Sequence, residues 1–365
     1  MERVKKLSET IVNHSLQVKK GDKVLITYQS NECNYFIKTL IKKILVQGGI
    51  PTVKYLDPEF ENIIKENLND NIIENKKNIF KFEVEEYDCF IQIRYTTSDY
   101  YDKNVDRDLN NKLKEELSPF KDIEINQRRW VLLNYPSYID AYKAKTSYES
   151  FFNFAFDTMT VDYDKMHRSM LPLKKLMEST DKVRITAPGT DITFSIKGLP
   201  AIICSGEANI PDGEVFTAPI KDSVNGTITY NTPSPYNGNI FHDVSLTFKD
   251  GKIIKATSKE GEVEINKIFD TDEGSRYVGE FSLGLNPMIM HPIGDILYDE
   301  KIAGSIHFTP GSAYKECYNG NNSNIHWDMV LIQRSDYGGG NIYFDDKLIR
   351  ENGVFVIDEL KDLNY

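Results

Sequence analysis

Residues 279–330 read GEFSLGLNPMIMHPIGDILYDEKIAGSIHFTPGSAYKECYNGNNSNIHWDMV, and they hold three of the chain's six histidines, His291, His307 and His326. Glu280, Asp295, Asp299, Glu300, Glu316 and Asp328 lie in the same stretch. Carboxylates and imidazoles set among apolar, strand-like residues form a ligand mixture suited to zinc, cobalt or manganese, and they allow two ions to share one carboxylate. The sharpest element is NIHWDMVLI (324–332), whose apolar neighbours favour a strand. Residues i and i+2 of a strand share a face, so His326 and Asp328 project together while Trp327 points the other way. A His-x-Asp occurs by chance in many proteins; its value here comes from its company.

Two carboxylates supply that company. In NIPDGEVFTAP (209–219), Pro211-Asp212-Gly213 makes a turn and Glu214 opens an apolar strand. In SRYVGEFSLG (275–284), Glu280 sits between Gly279 and Phe281 in a run that otherwise reads as core. One such glutamate is better explained by an edge strand facing solvent. Two of them, each following a glycine in a region that also holds the His-x-Asp, point instead to paired or metal-bound carboxylates, because a bare buried carboxylate costs several kcal/mol.

A fourth element is DILYDEKIAGSIHFTPGSAY (295–314). DEK reads as a turn or strand end and SIHF as a strand, which brings Glu300 and His307 toward the same site, with Asp299 a rival to Glu300. HPIGD reads as a loop, so His291 and Asp295 are weaker candidates, as are His242, Asp243 and Glu316. Tyr314, in a loop beside these residues, is either packing or a hydrogen-bond donor to a developing oxyanion.

Around this stretch the second half is a series of short alternating runs broken by Gly, Pro, Asn and Asp: VRITAPG, ITFSIKG, TITYN, VSLTFKDGKI and IKATS. KDGK (249–252) is a hairpin turn by composition, and a helix is expected over about 258–269. The reading is a mostly antiparallel α+β domain over residues 181–365.

The first half differs. An amphipathic helix (4–18) precedes KVLITY, and strands PTVKYLD, DCFIQIRY and WVLLNYP follow, separated by helical stretches near 34–46, up to about 76, and 107–118. Strands alternating with helices predict an α/β domain with a parallel sheet covered on both faces. The turn after the first strand, TYQSNECN, has neither GxGxxG nor GxxxxGK[ST], which argues against a nucleotide. A helical segment over 137–178, with Phe151, Phe152, Phe154 and Phe156 packing against the sheet or a partner, bridges the two halves and is counted with a first domain of residues 1–180. His14 and His167 read as ordinary helix residues.

The net charge of −11 argues against nucleic acid, which needs a basic face. Four scattered cysteines without CxxC spacing exclude a disulfide framework and a cysteine zinc site. The start has no apolar leader-like region and no run reaches membrane-span length, so a soluble cytoplasmic protein is expected.

The motifs GEANIPDGEVFTAP, TDEGSRYVGEFSLG, ILYDEKIAGSIHFTPGSAY and NSNIHWDMV, in this order, resemble those of the M29 metallo-aminopeptidases, the thermophilic aminopeptidase or aminopeptidase T family. A weaker likeness begins at VNHSLQVKKGDKVLI, so the resemblance spans nearly the whole chain. It implies a two-domain, dimeric exopeptidase acting on peptides with a free N-terminus and using two divalent ions. The family's ligands fall on Glu214, Glu280, Glu300, His307, His326 and Asp328, and its active-site tyrosine on Tyr314. By the same analogy, Glu280 bridges the ions or takes a proton from water. Two departures stand out: the Glu300–His307 interval is longer, and FTPG (308–311) stands where LALG is commoner. Two other readings are a metal-dependent hydrolase of another amide or ester, and a peptide-binding protein with a structural metal.

Overall fold

The apolar runs of the first half become strands for the reason the pattern suggests: residues buried on both faces of a sheet leave little room for polar alternation. The computed structural model describes residues 1–97, 105–236 and 238–364. They form two compact units, Met1–Thr160 with Gly206–Pro211, and Val161–Ser205 with Asp212–Tyr365.

In the first unit Ile50–Tyr55, Lys23–Tyr28, Cys89–Arg94, Arg129–Asn134 and Asn209–Ile210 lie side by side in that order, every pair parallel. Val24, Ile26, Ile91, Val131 and Leu133 are fully buried along the central strands. Four of these strands are those expected from the sequence. The fifth, Asn209–Ile210, is a two-residue return of the chain that no periodicity announces. The polar helix expected up to residue 76 is two helices, Pro58–Glu66 and Asp70–Glu86. Asn69 starts the second by accepting the Ile72 N–H at 3.1 Å, a side-chain cap that competes with continuous helix.

Residues 137–178 are helical as expected, but divided. Tyr148–Met159 packs Phe151 and Phe156 inside the first unit, with Tyr135 edge-on to Phe156 at 6.0 Å. Tyr163–Ser179 instead buries Tyr163, Met166, Met170, Leu173 and Met177 in the core of the second unit. The division between units therefore falls at 160/161, not at the 180/181 expected from texture, because the apolar stripe of this helix completes the second unit's core.

The second unit contains two larger antiparallel sheets. One has eight strands, from Lys252–Thr257 at one edge through Thr190–Ser195 and Lys182–Ala187 to Val354–Phe355 at the other. The other has five, in the order Val330–Ile332, Ser305–Pro310, Val278–Gly284, Glu214–Thr217 and Ile202–Cys204. KDGK is the hairpin turn expected, with Asp250 and Gly251 both at positive φ (49° and 80°), the conformation that suits the twist of the flanking strands. The helix expected at 258–269 is Glu262–Phe269.

The two sheets share one core. Phe194 of the larger sheet meets Phe281 and Phe308 of the smaller at 5.0 Å each. Burying each of these rings contributes on the order of 2 kcal/mol. Strand alternation then sends the neighbours Glu280, Ser282, His307 and Thr309 to the opposite face of the smaller sheet. Among the described residues no helix is long and apolar enough to cross a membrane, and the four cysteines are free.

Candidate metal centre

That opposite face carries the polar residues of the smaller sheet. Ser282 pairs with His307 on one side and Phe216 on the other, and Gly284 pairs with Glu214, which fixes the lateral order of the side chains. Glu214 is 6% exposed and Glu280 3%, so neither is a solvent-facing edge residue. Each glycine before them answers to a close approach. A Cβ at Gly279 would lie 2.3 Å from the Ser312 carbonyl oxygen, and one at Gly213, whose φ is +136°, would meet the Asn286 backbone nitrogen at 3.0 Å.

The six sequence-selected residues come together. His307 Nε2 lies 3.1 Å from Glu280 Oε1 and 3.2 Å from Glu214 Oε2. His326 Nε2 lies 3.2 Å from Glu280 Oε2 and 3.2 Å from Asp328 Oδ1. Three overlapping groups, Glu214–Glu280–His307, Glu280–His326–Asp328 and Glu300–His307–Asp328, each have candidate ligand atoms within 4.8 Å of one another.

His326 and Asp328 share a side as expected, with Trp327 buried against Tyr236, Phe241 and Phe269. The regular strand begins only at Val330, however. Before it the pairing is irregular: Trp327 N–H donates to the Pro310 carbonyl at 3.1 Å, and His326 forms an isolated bridge with Gly311. Glu300 likewise differs in setting. It comes after a short helix, Ile296–Asp299, capped by Asp295, where a turn or strand end was expected.

Asp299 does not share the cluster. Its two oxygens accept the Ile293 and Gly294 N–H groups at 2.7 and 3.0 Å, tying down the preceding loop. Burial pushes its carboxyl up to about 7 against those hydrogen bonds. His291 Nδ1 meets the Tyr337 hydroxyl at 3.0 Å, and Glu316, His242 and Asp243 are exposed.

Several partners escaped the sequence reading. Ser282 Oγ donates to Glu214 Oε2 at 2.8 Å, and Thr309 Oγ1 to Asp328 Oδ1 at 2.7 Å. Each lies two residues beyond a selected residue on the same strand, so period-2 spacing was the available signal. Lys301, fully buried, contacts Glu300 Oε1 and lies 3.5 Å from Glu214 Oε1. Cys204 and Asp212 also approach Glu214. The Tyr314 ring is 4.8 Å from the His326 ring and 5.4 Å from Phe216.

The electrostatics of this cluster call for cations. His307 Nδ1 faces the Glu300 carbonyl at 3.1 Å and His326 Nδ1 the Ser312 carbonyl at 2.8 Å. A carbonyl only accepts, so each Nδ1 carries the proton, and each neutral imidazole turns its Nε2 lone pair toward carboxylate oxygens. Lone pair against lone pair at about 3 Å is repulsive unless a proton or a metal lies between. Burial disfavours charge on His307, but Glu214 and Glu280 outweigh it and push its imidazolium up to about 10. Glu300 is pushed up to about 8 by burial, with Glu214 and Asp328 adding to it and Lys301 opposing. Burial would likewise raise Asp328, yet His326 and His307 hold it well below the usual range. Where no metal is bound, Glu300 and the two imidazoles thus hold protons, and the donor set fits hard-to-borderline divalent ions.

The profile of the thermophilic metalloprotease family, M29, matches residues 1–355. The chain belongs to the M29 metalloproteases. Relatives include aminopeptidase 2 of Geobacillus stearothermophilus, 39% identical over 29% of this chain and 26% of that protein. Aminopeptidase AmpS of Bacillus subtilis is 37% identical over 35% of this chain and 34% of that protein. Aminopeptidase T of Thermus aquaticus is 32% identical over 40% and 41%. The matched stretches thus span well under half of these relatives. The structure of AmpT from Thermus thermophilus superposes with a TM-score of 0.79 at 19% identity, over 98% of this chain and 99% of that one. That likeness shows that this chain has the AmpT fold through both units.

Proposed function

We propose that this chain is an aminopeptidase that removes N-terminal residues from peptides, holding two divalent ions on Glu214, Glu280, Glu300, His307, His326 and Asp328. One observation carries the reading: the two oxygens of Glu280 face two different imidazole Nε2 atoms, at 3.1 and 3.2 Å, and both imidazoles have their other nitrogen committed to a backbone carbonyl. A single closed structural site needs four ligands around one centre, whereas here one carboxylate is shared between two sets. The M29 family membership and the aminopeptidase names of the relatives support the same reading.

Zinc, cobalt or manganese, once bound, supplies Lewis acidity toward the scissile carbonyl and lowers the pKa of water toward neutrality. Glu280 would either hold both ions or accept a proton from water, and its burial would strengthen either role. Ser282 and Thr309 hold Glu214 and Asp328 in orientation. Tyr314, 46% exposed with its ring tilted beside that of His326, would donate its hydroxyl hydrogen to the tetrahedral oxyanion. Tyr314→Phe keeps the ring contacts with His326 and Phe216 and loses that donor. The expected result is a kcat lower by about 10²-fold with KM little changed. An unchanged kcat removes the tyrosine from the mechanism.

The carboxylate-rich site also suits a protonated α-amine on the substrate. The deciding assay compares leucyl- and arginyl-p-nitroanilide with their N-acetylated forms, before and after chelation. Cleavage of the free-amine substrates alone, dependent on metal, is expected; equal cleavage of the acetylated forms favours a different amide hydrolase. The cytoplasmic setting and the homodimer implied by family resemblance belong to the same proposal, and sedimentation of the purified chain tests the latter.

A further inference from the structure

Lys301 is a buried ammonium placed inside a cluster otherwise built to collect cations. Its side chain has no exposure, and its charge meets Glu300 Oε1 and, at 3.5 Å, Glu214 Oε1. The other oxygen of Glu214 faces His307 Nε2 and accepts from Ser282 Oγ. Among the described residues, Glu280 and Asp328 have ion pairs with imidazoles only. The cluster is therefore electrostatically uneven. The set Glu280–His326–Asp328 has two carboxylates and no fixed cation. The set Glu214–Glu280–His307 must share Glu280 with the first and half of Glu214 with Lys301.

We propose that Lys301 is a positioning residue that makes the two ion positions unequal: one ion is held tightly by Glu280, His326 and Asp328, and a second, exchangeable ion is held weakly by Glu214, Glu280 and His307. This rests on the two-ion reading above. A charge buried at this depth is screened little by salt or water, so its repulsion of a second dication persists under ordinary buffer conditions. Lys301 also has a reason to be there when that second position is empty. Without it the buried Glu214 and the largely buried Glu300 would have no lysine or arginine partner, and an uncompensated buried carboxylate is strongly destabilising. The lysine thus stands in for the second ion without having its charge.

The test is titration of the metal-free full-length chain with Co²⁺, followed by visible absorption, which reports the ligand field, and by calorimetry. The wild-type chain is expected to bind in two phases, the second at least about tenfold weaker than the first, with a different spectrum for each. In Lys301→Met the second phase is expected to tighten at least about tenfold while the first stays within about threefold. Lys301→Arg, which keeps the charge, is expected to retain a weak second phase.

Two equivalents binding to the wild-type chain in a single phase overturn the proposal and leave the two-ion reading standing. A folded Lys301→Met chain that loses its second phase also overturns it, since the lysine would then support that ion. Failure of the wild-type chain to bind a second ion at millimolar Co²⁺ overturns the two-ion reading itself. The wild-type titration decides even where Lys301→Met does not fold.

Discussion

Glu280→Gln is expected to lower kcat/KM for aminoacyl p-nitroanilides by at least about 10³-fold while leaving the chain folded. The substitution is nearly isosteric and sits on a strand whose neighbours Phe281 and Val278 are buried in the core, so packing has no reason to change. What changes is charge and donor geometry. Both oxygens of Glu280 face imidazole Nε2 atoms; an amide presents one oxygen and one NH₂, and the NH₂ cannot ligate a cation. On the proposed reading, an ion position would lose a ligand or water would lose its proton acceptor. Loss of a general base alone accounts for about 10²–10⁴-fold. Removing one of four clustered carboxylates relieves repulsion in the metal-free chain, so circular dichroism and the melting temperature should stay near wild type. Normal turnover with normal metal content in the variant would falsify the central role of Glu280.

The sequence made the site more legible than its surroundings, for a physical reason. Polar atoms buried on a strand need partners, so Glu214 and Glu280, anomalous in apolar runs, announced themselves without knowledge of what they face. Period-2 spacing put His326 and Asp328 on one side even though the regular ladder starts only at Val330. The alternation is a property of extended backbone and survives an interrupted ladder. Asp299 and Glu300 could not be separated in the same way. They are adjacent, and which of them points inward depends on the short helix Ile296–Asp299 and on backbone N–H groups of Ile293 and Gly294 that no side-chain pattern reveals.

The parallel sheet was readable because four apolar runs alternate with helices. The Asn209–Ile210 strand was not, since two residues carry no period. Texture reads the segment that holds the helix Tyr163–Ser179 as a bridge between the halves; only its contacts, through Met166, Met170 and Met177, show which core its stripe completes. Lys301 was overlooked because a lysine in a charged DEK triplet ordinarily reads as solvated.

Removing metal is expected to abolish peptidase activity and also to lower the melting temperature of the second unit. Ions bound to the folded chain at 100 to 1,000 times their dissociation constants stabilise it by about 3–4 kcal/mol. For a unit of this size, one kcal/mol corresponds to roughly 2–4 °C. Dialysis against a strong chelator should therefore lower the melting temperature by about 5–15 °C. Four clustered carboxylates, Glu214 and Glu280 buried and Glu300 and Asp328 largely so, with one lysine among them, set the direction, because the metal-free chain must either keep them charged in each other's field or protonate some of them. Return of zinc, cobalt or manganese should restore both activity and melting temperature, whereas magnesium, which favours octahedral oxygen ligands, should restore neither at equal concentration. The loss must also depend on the cluster: His326→Ala should flatten the melting shift between metal-loaded and metal-free protein, since its imidazole is the only nitrogen ligand in the Glu280–His326–Asp328 group. Activity that survives exhaustive chelation, with the bound-metal content measured at zero, would show that hydrolysis by this chain proceeds without bound ions.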